Sequence, residues 1–253
     1  MAKISKIKTK LHLQAMDLAY SDKSLSMDDR EFILEHYNPM ACHLVGKAGI
    51  FFTPRSIAKE MQIEIIDIEG KRLLDLCAGI GGLSYETWKN HACYARNDDF
   101  EIVCIENNPE FIDVGKRVLP EATWIRADAF DKQTYENLGY FHQVISNPPY
   151  GISLPENKWL QPGLSQFKAV EAAMKVSNDA VFILLQGDCP FEYSGRQMYK
   201  RKENKKYEKF HEKTGIVFEM NCGIDLSFCN ADWNGLSPGM QFEIICISKE
   251  ETE

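Results

Sequence analysis

At 253 residues, with 44% hydrophobic and 11% aromatic content, the chain can bury one ordinary α/β core, and no apolar run reaches the roughly 18 to 20 residues that cross a bilayer. A formal charge of −8 works against general affinity for a polyanion, so any contact with nucleic acid has to be local. Eight cysteines, at 42, 77, 93, 104, 189, 222, 229 and 246, form no Cys-x-x-Cys pair and meet no matching histidine spacing, which argues against a zinc site. No metal is expected, and the thiols are read as free in a reducing compartment. The basic start Met1 to Lys10 is not followed by the apolar stretch and cleavage site of a secretory signal, so a cytoplasmic location is expected.

Residues 11 to 47 read as helical, with Phe32, Ile33 and Tyr37 at apolar positions behind a Ser26-Met-Asp-Asp29 start that can cap a helix. From Ile50 onward short apolar strands alternate with helical stretches, the pattern of a parallel sheet covered on both faces. The strands expected are Arg72 to Leu76, Glu101 to Ile105, Thr123 to Ala127, His142 to Ser146, Ala180 to Leu185, Ile216 to Met220 and Phe242 to Ser248. Helices are expected at about 82 to 90, 109 to 118, 131 to 138 and 166 to 177, joined by right-handed crossovers. The connector Asn221 to Gln241 is rich in Gly, Asn, Asp and Ser, so the last two strands are expected to pair antiparallel across a long loop. The fold class is therefore α/β, a doubly wound, mostly parallel seven-stranded sheet with an antiparallel last strand. A helical extension over 1–48 precedes one domain over 49–253, with a basic insertion at about 195–213.

That insertion carries Arg196, Lys200, Arg201, Lys202, Lys205, Lys206, Lys209 and Lys213 against Glu203, Glu208 and Glu212. Glu208 with Glu212 and Lys209 with Lys213 are like-charged at helical spacing, which does not stabilise a helix by itself. A solvated helix and an anionic partner both remain open; the second assigns substrate contacts to Arg196, Lys200, Arg201, Lys205 and Lys206.

After Arg72 to Leu76 comes Cys77-Ala-Gly-Ile-Gly-Gly82, a turn of small residues that lets the backbone approach a ligand at the carboxyl ends of the strands. A dinucleotide would fit such a turn equally well. Asp75 ahead of the glycines repels a pyrophosphate and suits an ammonium group, which favours the amino-acid end of S-adenosylmethionine. Glu106, closing the next strand, stands where an acid accepts ribose hydroxyls, and Asp128 one strand further on suits the adenine amine, with Ala129 and Phe130 beside the ring. Read blandly, Glu106 is a capping or surface acid and Asp128 an N-cap.

Asn147-Pro148-Pro149-Tyr150 follows His142 to Ser146, and two prolines cannot continue a central strand or a helix interior. The chain there has to be a rigid extended turn at the sheet edge. The Asn147 side-chain carbonyl and the Pro148 carbonyl can converge on one amine while Tyr150 offers a stacking face. Two acceptors draw the hydrogens of a conjugated amine out of plane and localise its lone pair, so no strong base is required.

Together these residues resemble the class I methyltransferases, and within them the N6-adenine DNA methyltransferase group of the gamma motif order. Gly49-Ile-Phe-Phe-Thr-Pro54 is similar to the segment that precedes the glycine loop in that group and in type I modification subunits. The resemblance spans about residues 49 to 188, whereas taken alone Thr53-Pro54 reads as a helix start, with Thr53 as cap and Pro54 at the first position. It implies S-adenosylmethionine as cofactor, with Phe52, Thr53, Pro54, Asp75, Cys77, Ala78, Gly79, Glu106, Asn107, Asp128, Ala129 and Asn147 around it, and Asn147, Pro148, Pro149 and Tyr150 as the catalytic element. It also implies DNA as the partner, with RNA or protein glutamine as alternative substrates and a silent cofactor-binding module as an alternative of another class. A large target-recognition domain usually follows in that group and the sequence stops at Glu253, so weak specificity or a specificity partner protein is expected. Phe228 and Trp233 are candidate second faces for a flipped base, and Gly151 to Gly163 reads as a lip over the site.

Overall fold

The computed structural model describes residues 5–38, 51–66, 70–94, 100–233 and 239–249. Expectations that fall on Gly49, Ile50, Cys42 and the helical run beyond 38 lie outside the described residues, as does the Cys93 side chain.

The helical preamble is two helices rather than one, α1 (Lys6–Ala19) and α2 (Met27–His36). Ser26 caps α2 as expected: its hydroxyl accepts the Asp29 N–H, and the Asp29 carboxylate accepts the Ser26 N–H. The break between them is held open from outside, since Arg117 donates to the carbonyls of Ala19, Ser21 and Lys23. A short α3 (Arg55–Met61) follows, and then the sheet begins with β1 (Arg72–Leu76). In order come α4 (Gly82–Tyr94), β2 (Glu101–Glu106), α5 (Pro109–Val118), β3 (Thr123–Arg126) and β4 (Gln143–Ser146). A small hairpin of β5 (Ser153–Leu154) and β6 (Gly163–Leu164) precedes α6 (Ser165–Ala173) and β7 (Asp179–Leu185). A second hairpin, β8 (Phe191–Glu192) with β9 (Lys200–Arg201), leads to α7 (Lys205–Thr214), β10 (Glu219–Met220) and β11 (Phe242–Ser248).

The main sheet has seven strands in the order β10-β11-β7-β4-β1-β2-β3. All pairs from β7 to β3 are parallel, and β11 runs antiparallel to both of its neighbours. Strands β1, β2 and β4 are covered on both faces, which explains their unbroken apolar text. Strand order reverses between β1 and β4, so a crevice opens at their carboxyl ends. Among the described residues no helix is long and apolar enough to cross a membrane.

Two expected elements are shorter than their sequence pattern. Over 131 to 138 there is only a 3-10 turn, Lys132–Tyr135, because the Asp131 side chain accepts the Gln133 N–H and the Tyr135 hydroxyl donates to the Ala129 carbonyl at 2.8 Å. Of Ile216 to Met220 only the last two residues pair, because the Phe218 N–H is diverted to the Tyr207 hydroxyl.

Trp124 of β3 packs against the glycine turn that follows β1. Its indole N–H donates to the Leu119 carbonyl at 3.1 Å, and its ring fills the space above two glycines. A Cβ on Gly81 would meet the ring at 3.0 Å and one on Gly115 of α5 at 2.2 Å. A helical glycine normally gains up to about 1 kcal/mol on conversion to alanine. At Gly115 the overlap reverses the sign: Gly115→Ala is expected to destabilise the fold by about 1 to 3 kcal/mol, read from the denaturant midpoint.

Candidate active site

The turn after β1 is built by backbone geometry that only small residues tolerate. Cys77 sits at φ 62, Gly79 at φ 58 and Gly81 at φ 84, an αL-rich path in which a non-glycine at positive φ marks a functional turn. The Ala78 N–H donates to the Ile105 carbonyl and the Gly81 N–H to the Ala78 carbonyl, so the turn folds back onto β2. Glu106, at the end of β2, gathers three backbone donors: Gly79 on Oε2 at 2.9 Å and Asn107 and Asn108 on Oε1 at 2.8 Å each. It is not the cap of α5, which is Asn108. Burial pushes its carboxyl up despite those bonds, and Oε2 keeps a lone pair for a further donor.

Asp75 is turned inward more than an ammonium partner requires. Its Oδ2 accepts both the N–H and the hydroxyl of Ser84, pinning the first turn of α4, and only Oδ1 is left for a ligand. Burial pushes this carboxyl up to about 7, against the opposing pull of Ser84. Asp128 accepts the Phe130 N–H on Oδ1 at 2.9 Å, which shapes the turn and leaves its second oxygen for a ligand donor.

The Asn147 tetrapeptide leaves β4 at the carboxyl edge. Both hydrogens of the Asn147 amide are engaged, one on the Phe51 carbonyl and one on the Thr53 hydroxyl, each at 2.9 Å. This corrects the local reading of Thr53 as a helix cap, since α3 starts after Pro54 with no side-chain cap. With its nitrogen so fixed, the Asn147 carbonyl points the other way. The Tyr150 hydroxyl lies between that oxygen and the Ile183 carbonyl, with a single proton for two acceptors. The Pro149 carbonyl accepts from the Ser165 hydroxyl at 2.6 Å, whereas the Pro148 carbonyl makes no hydrogen bond among the described residues.

Tyr150 is not the open stacking face expected of it. Its ring is 5% exposed and lies against Phe242 at 5.6 Å, because the hydroxyl finds both of its acceptors inside. Trp233 is likewise a core residue, 4% exposed and stacked on Phe242 at 4.4 Å, and Phe228 stands 86% exposed on a 3-10 helix beside α3. Neither aromatic lines the cleft described next.

A cleft of about 610 Å³ gathers Phe52, Cys77, Gly79, Glu106, Asn107, Asp128, Ala129, Asn147, Pro148 and Pro149. Thr53, Asp75 and Ala78 line a space of about 30 Å³ that shares Phe52, Gly79 and Asn147 with it, and Pro54 faces a separate pocket behind α3. Phe130, expected beside the ring, lines the cleft together with Ile152 of the expected lip, and Phe111 joins them without having been expected. Its signal was an apolar position in α5, from which it reaches Phe52 edge-on at 4.9 Å. Acids with unused oxygens beside apolar walls suit a cationic nucleoside, so these residues fit S-adenosylmethionine: Glu106 for hydroxyls, Asp128 for an amine, Phe111 and Phe130 for a ring.

The basic island lies away from this cleft and is divided. Arg196 is paired with Glu192 and Lys206 with the buried Asp188, while Lys200, Arg201 and Lys205 make no ion pair among the described residues. Lys202 is also tied, to the Gln186 carbonyl and Glu192. Lys209 and Lys213 face a groove of about 200 Å³ between α7 and the β5–β6 hairpin, opposite Lys168. Among the described residues no group of three or more His, Cys, Asp or Glu gathers as a metal site.

The N-6 DNA methylase family matches residues 23–188, well over half of the chain. The methyltransferase subunit of a type I restriction-modification system from Streptococcus thermophilus superposes with a TM-score of 0.58 at 17% identity, over 88% of this chain and 50% of that one. A Vibrio vulnificus protein described as a modification subunit of a type I restriction enzyme gives 0.59 at 13%, over 88% and 50%. A Listeria monocytogenes protein described as a class I S-adenosylmethionine-dependent methyltransferase gives 0.63 at 13%, over 97% and 81%. At these identities the likeness is one of fold, and the chain spans about half the length of the two type I subunits. No curated protein matches the chain.

Asp75 gives the fold a pH dependence of definite sign. Its folded pKa of about 7 lies above the ordinary 3.8, so the native state holds a proton that the unfolded chain releases. That stability is full below the ordinary value and is lost as pH rises through about 7, with a slope of at most about 1.4 kcal/mol per pH unit. Asp75→Asn, which keeps an acceptor for Ser84, is expected to remove this component. Thermal unfolding of both proteins between pH 5 and 8 measures it.

Proposed function

The chain belongs to the N-6 DNA methylase family, and on that premise we propose that it transfers a methyl group from S-adenosylmethionine to the exocyclic N6 amine of adenine in DNA. The observation that carries this reading is the convergence of Glu106, Asp128, Asn147 and Pro148 on one cleft at the carboxyl edge of the sheet. The cofactor supplies an electrophilic methyl on a sulfonium.

The chain supplies orientation. Thr53 and Phe51 hold the Asn147 amide so that its carbonyl is presented as an acceptor, and the Pro148 carbonyl is the second. An adenine amine held by both loses conjugation with the ring and gains nucleophilicity at nitrogen. Tyr150 takes part through its hydroxyl rather than its ring face: the hydroxyl occupies one side of the Asn147 oxygen and leaves its other lone pair for the amine. The proton released after transfer leaves through the same carbonyls to water.

Lys200, Arg201 and Lys205, which no carboxylate neutralises among the described residues, serve as phosphate contacts on an otherwise acidic chain. Sequence readout is assigned to a separate specificity protein, a reading supported by the fold shared with a type I methyltransferase subunit of about twice this length.

Purified protein incubated with labelled S-adenosylmethionine and separate DNA, RNA and protein pools is expected to label DNA at adenine. Label in protein alone refutes the proposal, and label in RNA alone moves it to an RNA base. Asn147→Ala is expected to lower transfer by about two to three orders of magnitude with cofactor affinity changed only slightly, as loss of one preorganised polar contact does. Replacing Lys200, Arg201 and Lys205 by glutamine is expected to reduce the slope of log K against log salt by about 0.9 per residue in a DNA-binding titration.

A further inference from the structure

The peptide groups on either side of Tyr150 are both held by the first turn of α6. Ser165 donates its hydroxyl to the Pro149 carbonyl, and the Gly151 N–H donates to Oε1 of Gln166 at 3.1 Å. Gln166 is 1% exposed, and its Nε2 donates to Oδ2 of Asp188 at 2.7 Å. Asp188 is equally buried and takes the Lys206 ammonium on its other oxygen at 2.7 Å. The 3-10 turn that carries Asp188 (Gln186–Asp188) is fastened to the start of α7 by Asn204, which donates to the carbonyls of Gly187 and Cys189.

An ionised carboxylate can only accept. Asp188 therefore obliges Gln166 to turn its NH₂ inward, and that turn alone aims the amide oxygen at Gly151. The Lys206 side chain is 58% exposed, so the pair contributes little stability by itself, and its value here lies in the orientation it imposes. We propose that Gln166, with its amide direction set by the Asp188–Lys206 pair, is the positioning residue of the catalytic tetrapeptide. It fixes the exit of the chain from Tyr150 just as Phe51 and Thr53 fix its entry at Asn147. Lys206 belongs to this chain of contacts rather than to the phosphate-binding set. The inference rests on the reading of the tetrapeptide as the catalytic element.

Gln166→Glu tests it through pH. A neutral glutamic acid reproduces the glutamine pattern, its O–H donating to Asp188 and its carbonyl accepting from Gly151, whereas an ionised one faces the Asp188 carboxylate across the same gap. Charged and titratable groups around the turn are Asp188 and Cys189 on the turn itself, Lys202 and Lys206, Glu243 of β11 and the Tyr150 hydroxyl. Asp188 raises the new carboxyl and the lysines oppose it, so recovery comes as pH falls.

Relative to wild type at each pH, kcat of Gln166→Glu is expected to be lower by about tenfold to a hundredfold at pH 9, the cost of a misplacement of up to about 1 Å, and to approach wild type at pH 6. Cofactor affinity and thermal midpoint are measured alongside. Asp188→Asn, which frees the amide to turn, is expected to lower kcat without that recovery. Hydrogen exchange at the Gly151 amide, read with no substrate present, is expected to lose about tenfold protection in ionised Gln166→Glu. Wild-type kcat and wild-type protection in that variant overturn the inference, and so does a loss of kcat that is the same at every pH and tracks the thermal midpoint. If the wild-type protein leaves DNA unlabelled, the proposed substrate falls while the exchange measurement still decides the role of Gln166.

Discussion

The Asn147 amide nitrogen has two hydrogens, and both end on the segment that precedes the sheet, at Phe51 and Thr53. That pair of bonds joins chain regions more than ninety positions apart and sets the only direction in which the Asn147 carbonyl can look. Much else leans on the same segment. Phe52 lies over Gly79 and touches Phe111, so one short extended stretch roofs the glycine turn, orients the Asn147 amide and closes one wall of the cleft. An aspartate at 147 would have no hydrogen to offer the Phe51 carbonyl and would repel it, while the Thr53 hydroxyl would have to turn and donate instead.

The acids of the site answer to different partners. Glu106 and Asp75 are both pushed up by burial, but Glu106 is met by backbone donors, one from the glycine turn and two from the residues after β2, and Asp75 by a serine of α4. Neither has a cation beside it among the described residues, and a ligand carrying positive charge would supply one. By contrast, the cationic Arg55 just beyond Thr53 is surrounded by opposite charge, meeting Glu31, Glu35 and Glu86 at 2.6 to 2.9 Å and so binding α2, α3 and α4 together. Around the site, then, the cation of the frame is compensated, while the acids of the cleft have no cationic partner among the described residues.

What could be read from residues alone follows the range of the forces involved. The bounds of β1, β11 and α5 are those of their apolar repeat and caps, because local pattern and burial agree there. Glu106 and Asp128 could be placed because strand ends of a parallel sheet share one edge. Tyr150 and Trp233 were read as open faces, yet each is enclosed by Phe242, a residue of the last strand that no local pattern connects to them. Lys206 looked like its neighbours in a basic run, and only the fold brings Asp188 beneath it. Thr53 looked like a helix cap, and its true partner is far along the chain. Gln166 offered no signal at all, since an amide in an apolar helix acquires meaning only from what the fold sets on either side of it.

Trp124 has one further implication, for how such a sequence can drift. Its ring occupies the volume that side chains at Gly81 and Gly115 would otherwise need, and its N–H is anchored at Leu119. These positions therefore form a matched set in which size is shared: a smaller residue at 124 would admit an alanine at 115, and an alanine at 115 would require it. Homologous chains are then expected to change 115 and 124 jointly or not at all, with 81 kept as glycine by its own backbone, so that the packing beneath the glycine turn is inherited as a pair rather than residue by residue.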